Sequence, residues 1–123
     1  MSKTILVVED NENNMMLVCD VLELKGYTVL AATTGAEGVR LAGEGKPDLI
    51  LMDIQLPDIN GVTALKRIRA DAAMQNIPVL AVSASAMPED RQKILASGFE
   101  EYITKPLNMR SFLETVEKFI GKA

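Results

Sequence analysis

The sequence predicts an α/β fold of one domain, residues 1–123, in which five parallel strands alternate with helices that cover both faces of the sheet. Two observations predict this class. Five short apolar runs, rich in branched side chains, are typical of strands buried on both faces. A stretch with helical spacing of its apolar residues follows each run, and each strand–helix unit spans about 20–25 residues, which suits a crossover between parallel strands.

The first half of the chain contains three predicted strands, 4–8, 27–31 and 48–52, and two predicted helices, 14–25 and 35–44. Gly26 ends the first helix, because glycine readily adopts the backbone conformation that terminates helices. The apolar residues at helical spacing are Met16, Leu17, Val21, Leu22 and Leu24 in the first helix and, turned inward in the second, Val39, Leu41 and Ala42.

The remaining predicted elements are a helix through Leu65 and Ile68, a strand at 77–82, a helix at 88–97, a strand at 101–104 and a last helix. Pro57 and Gly61 mark the loop before the first of these helices. Pro88 lies in the first turn of the second, which is a favoured position for proline. Asn108 is a candidate cap of the last helix, whose apolar stripe consists of Phe112, Leu113, Val116, Phe119 and Ile120.

Composition and charge exclude several classes of function. The formal net charge is −4 and the pI is about 4.8, which argues against direct binding to nucleic acid or to anionic membranes. The chain has no histidine, so a metal has to be a hard cation bound by oxygen ligands. The single cysteine, Cys19, cannot form an intramolecular disulfide, and we expect it to be a small buried apolar residue.

The expected location is the cytoplasm. No signal peptide is recognised before the first strand, and no apolar run approaches the roughly 18–20 residues of a membrane span. No linker or low-complexity segment separates a second unit, so we expect a single domain without an output domain.

Polar residues follow four of the five predicted strands: Glu9 with Asp10, then Asp53, Ser83 and Lys105. The carboxyl ends of parallel strands share one edge of a sheet, and open α/β sheets bind ligands outside that edge. We therefore expect these five side chains to converge in one small acidic crevice.

Each of these residues has an ordinary structural explanation when it is considered alone. Glu9 and Asp10 could be solvated loop charges, and Lys105 could be an exposed lysine at a turn. A serine such as Ser83 often ends a strand. Asp53 is more informative, because an ionised carboxylate that follows four apolar residues is costly unless it is paired or bound to a metal. The joint placement of the five favours a site.

The crevice suits a divalent cation and a phosphoryl group. Acidic strand ends can hold Mg²⁺, which prefers oxygen ligands and keeps several waters. With that charge present, Asp53 can act as a nucleophile and form an aspartyl phosphate. Ser83 can donate a hydrogen bond to a phosphoryl oxygen, and Lys105 can pair with another. A cis Lys105–Pro106 peptide would aim the lysine, but the sequence leaves cis and trans open.

These motifs resemble the receiver domain of two-component response regulators over essentially all 123 residues. The stand-alone CheY-like and DivK-like members are the most similar type, and the segments 8–11 and 52–57 favour the DivK-like side. The segments that carry the resemblance are Val7–Asn11, Pro47–Pro57, Gly61, Val82–Ala84 and Tyr102–Pro106.

The resemblance implies a flavodoxin-like, doubly wound fold whose five parallel strands have the order 2-1-3-4-5. It implies that Asp53 is the phosphoacceptor. The Mg²⁺ ligands that it implies are Glu9, Asp10, Asp53 and the backbone carbonyl of Gln55.

It also assigns the residues that respond to the phosphoryl group. Ser83 and Tyr102 stand at the family's two switch positions, and Lys105 is the family's lysine. From the residues alone, Tyr102 could be a core side chain or a surface aromatic that rotates. Gln55 and Ser85 stand at the positions that tune the lifetime of the phosphorylated state.

The implied function is a signalling switch, not an enzyme with other substrates, so the chain would catalyse only its own phosphorylation and dephosphorylation. A histidine kinase or a phosphotransfer protein donates the phosphoryl group, and a downstream protein target binds the altered surface. Docking is expected on the first helix near Asn14 and Met15, in the loop after Lys105 and around Tyr102. We expect a monomer, with dimerisation on phosphorylation as the alternative.

Three other functions stay open. A flavodoxin-like cofactor binder shares the sheet order, but it needs a phosphate loop rich in Ser, Thr or Gly where this chain has residues 9–13, Glu-Asp-Asn-Glu-Asn. A degenerate receiver, used constitutively as an interaction module, would not bind Mg²⁺. A hydrolase would need a substrate pocket that nothing in the sequence indicates.

Overall fold

Strands and helices alternate along the chain in the computed structural model, which describes residues 3–122. The strands are β1 (Thr4–Val8), β2 (Thr28–Ala32), β3 (Leu49–Asp53), β4 (Val79–Ser83) and β5 (Glu101–Thr104). The helices are α1 (Glu12–Leu24), α2 (Gly35–Gly45), α3 (Gly61–Arg69), α4 (Pro88–Ala96) and α5 (Met109–Ile120), with a short 3₁₀ turn at Ala72–Met74. The predicted alternation of strands and helices is confirmed.

The five strands form one parallel sheet in the order β2-β1-β3-β4-β5. This confirms the strand order that the family resemblance implies. The chain moves to one side of β1 for β2 and to the other side for β3 and the later strands. The carboxyl ends of β1 and β3 therefore border the crevice where such sheets bind ligands.

Alternate side chains of each strand enter two separate cores, as the pleat of a strand requires. On one face, β1 contributes Leu6 and Val8, which belong to the core that contains the buried side chains of α2 and α3. On the other face, Ile5 and Val7 belong to the core that contains the buried side chains of α1 and α5. Both faces of the sheet are thus covered by helices, as predicted.

Strand boundaries differ from the prediction by a residue or two, and two of these shifts matter for the site. Asp53 and Ser83 are the last residues of β3 and β4, whereas the sequence places them just after the strands. Their backbones are therefore held by the sheet. Tyr27 precedes β2 instead of opening it, and its buried ring directs the hydroxyl to donate to the carbonyl oxygen of Gly121 at 2.7 Å.

Most of the apolar residues that predict α1 from the sequence are not the residues that the helix buries against the sheet. Val18 and Leu22, four residues apart, are buried against the sheet. Met16, Leu17 and Leu24 are 61%, 51% and 86% exposed. Both sets have helical spacing, so the pattern alone predicts a helix but does not select the face that contacts the sheet.

The start of α1 and the environment of its cysteine also differ from expectation. The helix begins at Glu12, two residues before the predicted start, because the Asn11 side chain accepts a hydrogen bond from the amide of Asn14 at 3.0 Å and caps it. Cys19 is only partly buried, with its Sγ 3.6 Å from the Sδ of Met15 one turn earlier in the helix.

Helix α4 is the least embedded of the five. It has no buried residue, and only Ile94 and Leu95 pack against the core as partly buried side chains. None of the helices described between residues 3 and 122 combines the length and apolarity that a membrane crossing requires.

Candidate functional site

An open cleft of about 670 Å³ lies at the carboxyl edge of the sheet. Five of the eight predicted site residues contribute to its lining: Glu9, Asp10, Asp53, Gln55 and Lys105. Ser83, Ser85 and Tyr102 do not belong to this lining, although they lie in the adjoining β4 and β5 region. Of the five side chains expected to converge, Glu9, Asp10, Asp53 and Lys105 line this cleft, whereas Ser83 does not.

The Lys105 ammonium joins the two buried carboxylates of the cleft. Its Nζ lies 2.8 Å from Oδ2 of Asp53 and 2.9 Å from Oε1 of Glu9. The lysine follows β5, where its amide donates to the carbonyl oxygen of Ser83 at 2.8 Å and extends the ladder with β4. The Lys105–Pro106 peptide, left open by the sequence, is cis.

The second oxygen of each buried carboxylate is bound by a local amide. Oε2 of Glu9 accepts from the amide of Asn11 at 3.2 Å, and Oδ1 of Asp53 accepts from the amide of Gln55 at 3.0 Å. These bonds fix both carboxylates in orientation. Asp10, by contrast, is exposed, although it also lines the cleft.

Glycine is required where the loop after β3 turns back on the strand. The amide of Gly61 donates to the carbonyl oxygen of Ile54 at 2.9 Å. A Cβ atom at Gly61 would lie 2.6 Å from the carbonyl oxygen of Asp53, a separation too short for any side chain. The absence of a side chain thus lets α3 begin directly against the end of β3.

Negative charge exceeds positive charge in this cleft. Burial, and then the neighbouring Asp53, raise the pKa of Glu9 above its ordinary value, because the ionised form loses hydration and faces a second carboxyl. Burial alone lowers the pKa of Lys105, but its hydrogen bonds to Asp53 and Glu9 outweigh that effect and raise it. One ammonium therefore serves two buried carboxylates.

The donor set fits a hard divalent cation. Oxygen atoms of Glu9, Asp10 and Asp53 all lie within 4.8 Å of one another. Three carboxylates with a single ammonium leave uncompensated negative charge, which an oxygen-coordinated Mg²⁺ would offset. The fit rests on the chemistry of these ligands and on their spacing.

Ser83 and Tyr102, the two predicted switch residues, are linked through the loop between β4 and α4. Ser83 is buried, and its Oγ accepts a hydrogen bond from the amide of Ser85 at 3.2 Å. The Tyr102 hydroxyl donates to the carbonyl oxygen of Ser85 at 2.6 Å. With only 7% of its surface exposed, Tyr102 is a core side chain here, which decides between the two interpretations that the sequence allowed.

Two contacts near the cleft were not predicted from the sequence. The Ser85 hydroxyl donates to Oδ2 of Asp90 at 2.6 Å, so the β4–α4 loop is tied to the first turn of α4. The carboxylate of Asp58, in the loop after Asp53, accepts from the amides of Gly35 and Ala36. An acidic residue early in a helix is a weak signal for the first contact. No sequence signal identifies the second.

A more apolar groove of about 370 Å³ adjoins the cleft. It is formed by α1 and the segment after β5, and its apolar lining includes Leu17, Val18, Pro106, Leu107 and Met109. Asn14 and Lys105 line both the groove and the cleft. Met15, which the sequence places near the docking surface, is partly buried and packs against the core that contains Ile5 and Val7.

A five-stranded parallel sheet with an acidic crevice between β1 and β3 and a lysine after β5 defines the receiver class. Residues 5–117 match the family model described as the response regulator receiver domain, and the chain belongs to that family. This confirms the resemblance drawn from the motifs. It favours a signalling switch over the cofactor binder and the hydrolase.

Individual members of the family resemble this chain in sequence or in fold. The chain is 44% identical to the polar-differentiation response regulator DivK of Brucella ovis over 123 residues, 100% of both chains. Its fold is similar to the magnesium-bound receiver domain of a sensor histidine kinase from Pseudomonas aeruginosa PAO1, with 33% identity, 99% and 100% coverage and a TM-score of 0.91. It is also similar to the Vibrio cholerae chemotaxis protein CheY4, with 26% identity, 98% and 100% coverage and a TM-score of 0.91.

Proposed function

We propose that the protein is a phosphorylation-dependent signalling switch in which Asp53 accepts the phosphoryl group. The observation that carries this proposal is the environment of Asp53. Asp53 is the last residue of the central strand β3 and is 5% exposed. Its carboxylate lies 2.8 Å from the Lys105 ammonium in a cleft shared with Glu9 and Asp10. Membership in the receiver family supports it.

We propose that Mg²⁺ is held by the carboxylates of Glu9, Asp10 and Asp53 and by the backbone carbonyl of Gln55. The spacing of the carboxylate oxygens supports the first three, and Gln55 lines the same cleft. The receiver domain from Pseudomonas aeruginosa, similar in fold, has a magnesium ion in its active-site cleft. When bound, the cation supplies positive charge that offsets repulsion between Asp53 and an incoming phosphoryl group.

The residues of the cleft suit transfer from a phosphohistidine donor. An oxygen of Asp53 attacks phosphorus and forms the new O–P bond, while the P–N bond breaks and its electron pair returns to the donor's imidazole. Lys105, which pairs with Asp53 and Glu9 beforehand, then pairs with a phosphoryl oxygen. The same site would catalyse loss of the group to water, and we propose no reaction on other substrates.

The surface change follows from the hydrogen bonds of Ser83. Donation from its Oγ to a phosphoryl oxygen would draw that hydroxyl away from the amide of Ser85. Ser85 is bonded in turn to Tyr102 and Asp90, so the movement would reach β5 and α4. The weak embedding of α4 supports its role as the element that moves.

We propose that a helical segment of the phosphodonor docks in the groove beside the cleft. The groove is apolar, and it is continuous with the cleft through Asn14 and Lys105. Leu17→Asp should reduce phosphotransfer from a histidine-phosphorylated donor protein about tenfold and leave phosphorylation by a small phosphodonor unchanged. Leu24→Asp, on the same helix and 86% exposed but outside the groove, is the matched control. Equal losses with both variants would contradict this docking site.

Several expectations stay predictions. These are a stand-alone receiver without an output domain, a cytoplasmic location, a monomeric state in the absence of phosphorylation, and a downstream protein target. Gln55 and Ser85 stay the predicted determinants of the phosphoryl lifetime. The hydroxyl of Ser85 is engaged by Asp90, so a change at Ser85 should also alter the attachment of α4.

Intact-mass measurement after incubation with Mg²⁺ and acetyl phosphate tests the phosphoacceptor. The parent protein should gain one phosphoryl group, and Asp53→Asn should gain none. Asp48→Asn is the matched control, because Asp48 directly precedes the same strand at the opposite edge of the sheet and should leave the gain intact. Phosphorylation of Asp53→Asn at the parent's rate would overturn the assignment. No gain and no Mg²⁺ binding in the parent would favour a constitutive interaction module.

A further inference from the structure

The loop between β3 and α3 carries Gln55 and crosses the sheet edge to reach α2. At the amino terminus of α2, the Asp58 carboxylate accepts two backbone hydrogen bonds, from Gly35 at 2.8 Å and from Ala36 at 2.9 Å. These amides are among those that a helix leaves without internal partners. Asp58 therefore joins the loop to a helix that begins more than twenty residues earlier in the chain.

The approach of this loop to α2 is close. A Cβ atom at Gly35 would collide with the Ile59 side chain and would lie 3.3 Å from Oδ1 of Asp58. Hydrogen bonds to the Ala36 and Gly35 amides lower the pKa of Asp58 to about 2, so its carboxylate is fully ionised near neutral pH. A charged acceptor at a helix amino terminus forms stronger bonds than a neutral one.

The first turn of α2 is capped by two residues. Thr34 Oγ1 accepts from the amide of Glu37 at 3.1 Å, and Asp58 accepts from the two amides before it, so Asp58 both completes the cap and ties its own loop to the helix. Asp58 comes from the loop that lines the cleft at Gln55, and the amide of Gln55 is bonded to Asp53 itself. What Asp58 adds to the cap is a fixed position for the loop.

We propose that Asp58 is a positioning residue for the metal site: it ties the β3–α3 loop to α2 and so holds the Gln55 carbonyl at the edge of the cleft. This inference rests on the proposed function, because it takes Gln55 as a ligand of Mg²⁺. Leu56 and Ile59 also pack against the core, and Asp58 adds directional hydrogen bonds to that packing.

An NMR titration of backbone amides with MgCl₂ tests the inference, together with amide hydrogen exchange in metal-free protein. Asp58→Ala should bind Mg²⁺ about tenfold more weakly and should exchange the Gln55 amide faster. Asp58→Asn preserves the shape of the side chain but keeps one acceptor oxygen and loses the charge, so it should fall between the parent and Asp58→Ala. Unchanged exchange of the amides in the sheet, measured in the same experiment, separates a local loss at Gln55 from a general folding defect.

Thr34→Ala is the matched control, because it weakens the amino terminus of the same helix without releasing the loop. It should lower the melting temperature and leave Mg²⁺ affinity and Gln55 exchange unchanged. Unchanged affinity and exchange in Asp58→Ala would overturn the positioning role, as would equal losses in Thr34→Ala. A parent that binds no Mg²⁺ would instead overturn the proposed metal site, and the positioning role with it.

Discussion

The two edges of the sheet carry charged clusters of opposite design, one balanced and one unbalanced. At the amino edge, Arg69 and Glu100 form a one-to-one pair with Nη2 and Oε1 2.9 Å apart. Nη1 of the arginine also donates to the carbonyl oxygens of Met74 and Ile77, and Oε2 of Glu100 accepts from the amide of Val79. Each charged group has an opposite charge and further hydrogen bonds.

At the carboxyl edge, Lys105 alone faces Glu9 and Asp53, with Asp10 beside them. Hydrogen-bonding capacity is nevertheless met, since no buried side-chain nitrogen or oxygen within residues 3–122 lacks a partner. The difference between the edges is therefore one of charge and not of hydrogen bonding. A balanced pair needs no further charge, whereas an excess of carboxylate at the other edge would be offset by a bound cation.

Lys105→Met should produce the largest change in stability. It leaves Glu9 and Asp53 buried without their shared cation, which should cost about 3 kcal/mol of unfolding free energy in EDTA. Added Mg²⁺ should recover more stability in this variant than in the parent. Chemical denaturation with and without MgCl₂ measures both effects. Lys66→Met, at an exposed lysine of α3, is the control, and an equal loss there would contradict the special role of Lys105.

Arg69→Met tests the opposite edge and should cost about 2 kcal/mol, because it removes the positive partner of Glu100 and the hydrogen bonds that Arg69 donates to two carbonyl oxygens. Here Mg²⁺ should restore nothing beyond its effect on the parent, and acetyl phosphate should still phosphorylate the variant. Arg40→Met is the control, since the exposed Arg40–Glu44 pair should contribute less than about 0.5 kcal/mol. Loss of phosphorylation in Arg69→Met would show that the two edges are not independent.

The charged cluster at the carboxyl edge is easier to predict from the sequence than the ion pair at the amino edge. Glu9, Asp53 and Lys105 each follow an apolar run, and parallel strands bring such positions to one edge whatever the details of packing. Arg69 lies at the end of a helix and Glu100 in a loop, and no topological rule brings such positions together. Their pairing depends on how α3 lies across the sheet. The sequence therefore predicts contacts between residues that strand topology brings together, but it does not predict contacts that depend on how a helix packs.

The same distinction explains the errors on α1. The helical periodicity is equally consistent with Leu17 or Leu22 on the face that contacts the sheet, yet only Leu22 is buried. Which of the two is buried depends on the rotation of α1 about its axis relative to β1 and β2. The contact of Asp58 with α2 is a further case. An aspartate between Pro57 and Ile59 is ordinary turn chemistry, and nothing local indicates partners on a distant helix.

Glu9→Gln tests whether the carboxyl edge carries an excess of negative charge. The raised pKa of Glu9 shows that its ionised form is disfavoured by burial and by Asp53, so a neutral isostere should stabilise the metal-free protein by about 1 kcal/mol. The same change should weaken Mg²⁺ binding, because one of the proposed anionic ligands loses its charge. Denaturation in EDTA and an Mg²⁺ titration measure these opposite effects. A destabilised, metal-free Glu9→Gln would contradict an excess of negative charge.

The smallest expected effect concerns Asp58, an acidic group at the same edge whose charge is satisfied by backbone amides. Its pKa is lowered from 3.8 to about 2, so its stabilising effect is complete above pH 3.8 and is lost as the pH falls toward 2. The stability difference between the parent and Asp58→Asn should therefore be constant near neutral pH and shrink below pH 3.8. Urea denaturation across this range measures it. Thr34→Ala, which removes no titrating group, should keep a constant difference from the parent, and an equally constant difference for Asp58→Asn would show that the Asp58 carboxylate does not stabilise the loop through its charge.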